Sequence, residues 1–283
     1  MPPVANRPAA APANQLSPVE QAVLQMRGAL GQMYHTLTRT RQKVYALEAA
    51  ARLRAAGKEP ALPVEFRSQF GEDLLLYDLF EGQLEGNFIE VGAFDGYNYS
   101  VTYALEAMGW KGLLIEAIPD KAEQCAKRRV NSQVVHAALS RRGSTGQAEF
   151  TVTTDQYGGM LSYHTTTAQH LRDTQPAPKS VVSVPLTSMD DLLEKHPPSG
   201  GEIDVAVIDV EGGEVALLQG FDLHKHRPKV LMIEDNSRGS DPALRNYMST
   251  QPYVMCGWME VNAVFVRADL TELQRRMARI FRA

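Results

Sequence analysis

Cysteine is scarce in this 283-residue chain: only Cys125 and Cys256 are present. With no CxxC and no Cys/His spacing, neither a disulfide framework nor a structural zinc site is expected. Long apolar runs are missing as well. Nothing approaches the ~20 consecutive apolar residues that span a bilayer, and the first fifteen residues carry neither the basic nor the apolar stretch of a secretory leader. Charge of one sign is lacking too: 29 basic and 33 acidic residues leave a formal net charge of −4. That balance gives no basic field to steer a polynucleotide. These absences predict a soluble cytoplasmic protein with no membrane span and no nucleic-acid partner. The length and an apolar content of 44% suffice for one α/β core with an appendage.

Residues 1–16 hold Pro2, Pro3, Pro8 and Pro12 among alanines, a composition with little to bury, and a disordered tail is expected there. Ser17, Pro18 and Glu20 then form the pattern of a capping box, with proline at the first helical position. A helix is predicted over 17–57, closed by Gly57. Within it Val19, Val23, Met26, Leu30, Met33, Leu37, Thr40, Val44, Leu47 and Ala51 recur at alternating spacings of four and three, the seam of a coiled coil. Gly28, Gly31 and Thr40 weaken that seam. One reading is a helix that pairs with a copy of itself, giving a homo-oligomer, or with another partner. The other is an amphipathic helix lying on its own folded domain. Lys58 to Pro63 reads as a linker, and the main domain is expected over 65–283.

From Phe66 onward, short apolar runs alternate with helical patterns. Asn87–Val91, Gly112–Ile115, Gln133–Ala138, Asp204–Asp209 and Val230–Ile233 are apolar on both faces, as buried parallel strands are. Val101–Met108 and Lys121–Arg129 supply intervening helices. Such alternation implies a Rossmann-like α/β fold: a doubly wound, mostly parallel sheet with right-handed crossovers. The stretch from about 150 to 184, rich in threonine and containing Gly158-Gly159 and Pro176-Ala177-Pro178, breaks the rhythm and is expected as an inserted hairpin and loop over the sheet.

The segment Phe88-Ile89-Glu90-Val91-Gly92-Ala93-Phe94-Asp95-Gly96 is an apolar strand ending in an acid, followed by a glycine turn. Such a turn lets a ligand approach the backbone at the carboxyl edge of a sheet. It lacks the GxGxxG spacing of dinucleotide sites, and an acid at Glu90 suits a cationic amino-acid moiety instead. Glu116 ends the next strand, where an acid is placed to hold two ribose hydroxyls. The plainer alternatives are an ordinary glycine turn and a surface glutamate. Asp209 ends the fourth strand, within Asp209-Val210-Glu211-Gly212-Gly213-Glu214, and Glu234-Asp235 ends the fifth. Asp209, Glu234 and Asp235 are candidates to converge on one cation, and all-oxygen ligands suit Mg²⁺. Alternatively, Glu234 and Asp235 cap a loop or pair with Arg238.

On these residues, with Ser68-Gln69-Phe70-Gly71-Glu72-Asp73 and Gly109-Trp110-Lys111-Gly112, the chain resembles the FkbM-type methyltransferases of the class I S-adenosylmethionine-dependent superfamily, over roughly residues 66–267. The resemblance implies a seven-stranded class I methyltransferase fold and S-adenosylmethionine as cofactor. It puts Glu90, Gly92, Asp95 and Gly96 around the methionine part, Glu116 on the ribose with Ala117 beside it, and Ala138 and Leu139 against the adenine. Gln69 and Ser100 would meet the cofactor's carboxylate or amine. The acids after strands four and five are similar to those of related magnesium-dependent sugar O-methyltransferases. The expected reaction is O-methylation of a sugar, glycan or polyketide-like small molecule, with Asp209 in the catalytic set and Glu211 as base. His164, in the inserted loop, is a second candidate base, although a lone loop histidine is more often a surface residue. Tyr97, Asn98 and Tyr99 are placed for cofactor or acceptor contact; Trp258 and Asn262 are weaker candidates for the acceptor pocket, Trp258 reading first as core. Two rival classes stand beside this: a nicotinamide-dependent oxidoreductase on the same fold, and a non-catalytic oligomeric scaffold with a vestigial pocket.

Overall fold

The computed structural model describes residues 17–153 and 178–282. The chain divides into two compact units, Met1–Thr40 and Arg41–Ala283. In the first, helix α1 (Pro18–Ala55) begins where the sequence predicts it. The Ser17 amide donates to the Glu20 carboxylate at 2.7 Å and the Glu20 amide to the Ser17 hydroxyl at 3.3 Å, so two orphan donors of the first turn are satisfied. In the second unit the last turns of α1 bury Ala49 and Leu53. The rings of Tyr45, Phe66 and Tyr77 meet there edge to face at 5.3–5.9 Å.

The second unit continues with α2 (Glu72–Leu79), β1 (Asn87–Val91), α3 (Tyr103–Met108), β2 (Lys111–Glu116), α4 (Pro119–Arg128), β3 (Gln133–His136), β4 (Ala138–Ser140), β5 (Gln147–Thr153), β6 (Pro178–Ser188), α5 (Met189–Lys195), β7 (Val205–Ile208), α6 (Glu214–Leu218), β8 (Val230–Glu234), α7 (Ala243–Met248), β9 (Tyr253–Met259), β10 (Asn262–Arg267) and α8 (Thr271–Ile280). Seven strands form one sheet in the order β3-β2-β1-β7-β8-β10-β9. The first five run parallel, and β10 pairs antiparallel with both β8 and β9. This is the Rossmann-like, mostly parallel sheet expected from the alternation of elements, with the seven strands that the resemblance implies.

Two apolar layers cover the sheet, and strand alternation sorts residues between them. Ile89, Ala206, Ile208, Leu231 and Ile233 enter one core; Phe88, Val205, Val207, Val230 and Met232 enter the other. Both faces of these strands are buried, which is why they read as continuous apolar runs.

Two local expectations are corrected, and one helix is added to those read from the sequence. Gln133–Ala138 is not one strand: the Ala137 amide still donates to the Glu116 carbonyl at 3.1 Å, but β4 then leaves the main sheet to pair with β6. The segment before the sheet contains α2, whose residues are nearly all buried and so lack an amphipathic period. The inserted hairpin starts earlier than expected, with β5 pairing antiparallel to β6 from Gln147 and Pro185 outward. No helix among the described residues is long and apolar enough to cross a membrane.

Candidate active site

The same alternation that sorts the core places the acids. Glu90 is in phase with Phe88, Glu116 with Leu114, Asp209 with Val207 and Glu234 with Met232, at the carboxyl ends of four adjacent parallel strands. In an open α/β sheet that edge is where ligands bind. A cleft of about 810 Å³, solvent at its mouth included, opens there. Its walls come from the glycine turn, the end of β2, β4, Phe150 and the loop after β7.

Gly92 makes the turn. Its φ is +80°, and a Cβ there would lie 1.9 Å from the Asp209 carbonyl oxygen, so no other residue fits without moving β7. The turn is fixed from both sides: the amides of Gly92 and Ala93 donate to the Ile115 carbonyl at 3.0 and 3.1 Å, and the Asp209 amide to that of Val91 at 3.1 Å.

Glu116 lies in the cleft wall with both oxygens accepting backbone amides, from Phe94 and Ile118, each at 2.7 Å. Burial pushes its carboxyl up to about 7, against the lowering effect of those amides. Each carboxylate oxygen has a second lone pair. Ala117, Ala138, Leu139 and Phe150 give the cleft an apolar wall beside this acid. Phe150 belongs to the inserted hairpin and carries no motif that would have singled it out.

Glu90 departs from the expected role. It does not line the cleft; its carboxylate accepts from the hydroxyls of Ser100 and Thr102 at 2.9 and 2.6 Å and from the Val101 amide at 2.9 Å. Arg129, whose side chain is wholly buried, pairs with Glu90 at 3.3 Å and with Glu106 at 2.6 Å, and also donates to Thr102 Oγ1 and the Gly96 carbonyl. Ser100 is committed to Glu90. Gly96, at φ +74°, passes so close to Arg129 and Cys125 that a Cβ would fall within 3 Å of both side chains. Asp95 turns from the cleft to accept the amides of Tyr97 and Asn98 and to pair with Arg128 at 2.6 Å. Gln69 is exposed on the segment before α2. Glu90, Asp95, Gly96 and Ser100 brace the turn behind the cleft. Arg129 and Glu106 escape sequence reasoning because their partners lie 23–39 positions away.

Oxygens of Asp209, Glu211 and Glu234 lie within 4.8 Å of one another. Asp235 is replaced in this cluster by Glu211. Alternation turns Asp235 to the other face, where its carboxylate accepts the amides of Ser237 and Gly239 at 2.9 and 3.0 Å and so caps the turn after β8. Glu211 reaches the cluster through a left-handed backbone, φ +57°. Glu214 holds that conformation, accepting the amides of Val210 and Gly212 at 3.2 and 3.0 Å. Burial raises the carboxyls of both Asp209 and Glu234, and Glu234 further because the carboxylates of Asp209, Glu211 and Glu214 surround it. An all-oxygen, anionic cluster crowded to that degree fits a hard divalent cation, which would relieve the repulsion. Asn262, paired in register with Glu234, donates to Glu72 at 3.0 Å and anchors the start of α2 to the start of β10. Trp258 packs against the core, the first of its two readings. Tyr97 hydrogen-bonds Glu65 at 2.7 Å, and Tyr99 is exposed. His164 lies outside the described residues.

The sequence pattern of the methyltransferase FkbM domain matches residues 90–255. Among curated proteins none matches. Among solved structures, a TehB-like SAM-dependent methyltransferase from Corynebacterium glutamicum is 12% identical, with a TM-score of 0.39 over 81% of this chain and 98% of that one. An O-methyltransferase from Bacillus cereus, solved in complex with SAH, is 15% identical, with a TM-score of 0.40 over 83% of this chain and 97% of that one.

Proposed function

This chain belongs to the FkbM methyltransferase domain family, and from that premise we propose that it is an S-adenosylmethionine-dependent O-methyltransferase. Its acceptor is a hydroxyl of a sugar, glycan or polyketide-like small molecule, and Mg²⁺ assists. The observation that carries this reading is the cleft at the carboxyl edge, with Glu116 at the second strand tip, an apolar wall beside it, and Asp209 and Glu211 of the three-acid cluster in its lining.

In this reading Glu116 holds ribose hydroxyls through its remaining lone pairs, while Ala117, Ala138 and Leu139 enclose the adenine. Gly92 leaves the backbone open to the methionine part. S-adenosylmethionine supplies a sulfonium-borne methyl group, and Mg²⁺ supplies Lewis acidity toward an acceptor hydroxyl. Asp209, Glu211 and Glu234 would hold that ion. Glu211, whose backbone is set by Glu214, takes the hydroxyl proton as the oxygen gains the methyl group. The oxygen loses a proton and gains a methyl, leaving S-adenosylhomocysteine.

Calorimetric titration with S-adenosylhomocysteine, and separately with NAD⁺, tests this. S-adenosylhomocysteine is expected to bind, and Glu116→Ala to weaken it about ten- to a hundredfold, the size of one lost hydrogen bond to a charged group. Binding of NAD⁺ alone would favour an oxidoreductase, and binding of neither a scaffold. Turnover is expected to stop on chelation and in Asp209→Asn; turnover indifferent to chelator removes the metal while leaving the cofactor.

A further inference from the structure

We infer that a second copy of this chain covers the seam of α1, as a parallel two-stranded coiled coil. The eight large apolar seam side chains from Val19 to Leu47 are each 48–72% exposed in the single chain. That face is not the one α1 uses on its own domain. With Val23, Leu30, Leu37, Val44 and Ala51 at position a and Val19, Met26, Met33, Thr40 and Leu47 at position d, the residues that pack in the second unit fall at b, c and f. Tyr45, Ala46 and Ala49 join Phe66, Leu74 and Tyr77; Gln42 donates to the Ser68 carbonyl at 2.9 Å and Tyr45 to Asp78 at 2.7 Å. One helix thus has a seated face and, opposite it, an unseated one.

The flanking charges select the occupant. In a parallel, in-register pair, Lys43 at position g meets the partner's Glu48 at position e, twice over by symmetry. In an antiparallel pair with full overlap, Glu20 would face the partner's Glu48 and Arg27 the partner's Arg41, like charges in both cases, which disfavours that arrangement. Sliding by one heptad relieves the clash but uncovers a heptad of seam. Glu48 is already paired with Arg52 at 3.0 Å, but an exposed pair on one helix contributes little and yields readily. Ten seam and ten flanking positions per chain reach the lower end of the roughly 20–30 residues a side of stable interfaces. A lone helix, moreover, holds poorly in water unless an apolar face is packed. Gly28 and Gly31 fall at f and b, off the seam, and a Cβ added at either would meet nothing within 4 Å.

Light scattering on the full-length protein at micromolar concentration is expected to give the mass of two chains. Leu30→Glu with Leu37→Glu should halve it, while Gln25→Glu with Gln32→Glu, at position c, should leave it unchanged. Equal thermal unfolding of the second unit in both variants separates loss of pairing from loss of fold. Orientation is read by cysteine crosslinking on a Cys256→Ser background. Val23→Cys alone should form a disulfide-linked dimer on mild oxidation. Crosslinks confined to a mixture of Val23→Cys and Leu47→Cys chains would overturn the parallel arrangement. A monomer mass for the unaltered protein, or a trimer, would overturn the proposal, and none of these outcomes depends on whether the cleft binds a cofactor.

Discussion

Gly92 constrains the cleft more tightly than any acid around it, because its limit is steric and leaves no room for compromise. Gly92→Ala combines a positive φ with a Cβ 1.9 Å from the Asp209 carbonyl oxygen. Strain and overpacking together should cost about 2–4 kcal/mol, read as a lower denaturant midpoint at unchanged m-value; a loss under 1 kcal/mol, on the order of a tolerated swap, would mean the turn yields. Glu116 offers a test of electrostatics. Its carboxyl is raised from 4.5 to about 7 by burial, so the folded state holds the proton more tightly than the unfolded chain. Stability from this group is complete below pH 4.5 and is lost as the pH climbs through 7, because the unfolded state then binds fewer protons than the folded one. Between pH 5 and 8 the ligand-free protein should therefore weaken, and Glu116→Gln, which cannot ionise, should weaken less, by about 2–3 kcal/mol for a fully realised shift. Glu72 and Glu214, also raised to about 7 by burial, slope the same way in both proteins and cancel in the comparison. Parallel pH profiles would show that Glu116 ionises in the folded state as freely as in water.

At the scale of elements, what was legible followed local rules and what was not followed contacts. The capping box at Ser17 and Glu20 involves neighbours three apart, and the acid-glycine turn after β1 is a single continuous segment, so both read directly from sequence. Asp235 misled because two adjacent acids look alike in sequence, whereas strand alternation sends only Glu234 to the site and leaves its neighbour to cap a turn. Glu211, expected from the sequence as a base, is part of the acid cluster, through a left-handed backbone that composition does not announce. Arg129 was invisible: an arginine at the end of α4 looks like a solvated helix terminus until Glu90 and Glu106 close over it. Helix α1 carries its own element-scale test. Gly28 and Gly31 sit in the helix interior with open space around them, so each change to alanine should add about 1 kcal/mol of helix stability. Far-ultraviolet circular dichroism of the double variant should show its helical signal surviving to higher temperature, with the mass of the assembly unchanged; a fall in mass would place those glycines at a helix contact.

At the scale of the whole chain, the question is where the amino-terminal helix stops being an appendage. Composition draws the line at Gly57, with a linker to Pro63. The structure divides the chain after Thr40 instead, because the last turns of α1 are core: Ala49 and Leu53 are at most 2% exposed, and Tyr45 stacks edge to face on Phe66 and Tyr77. Two truncations therefore separate. Removing residues 1–40 should leave a folded unit, its thermal midpoint within a few degrees of the parent at matched oligomeric state, because no residue of the Phe66 cluster is lost. Removing residues 1–57 strips Tyr45, Ala49 and Leu53 and uncovers Phe66, Leu74 and Tyr77. At about 1.5–3 kcal/mol for each large apolar side chain returned to water, the loss is a large share of the roughly 5–15 kcal/mol by which a domain is stable, and an aggregating or unfolded product is expected. Equal stability of the two truncations would move the boundary back to Gly57 and make the packing of Tyr45 and Leu53 incidental to the fold.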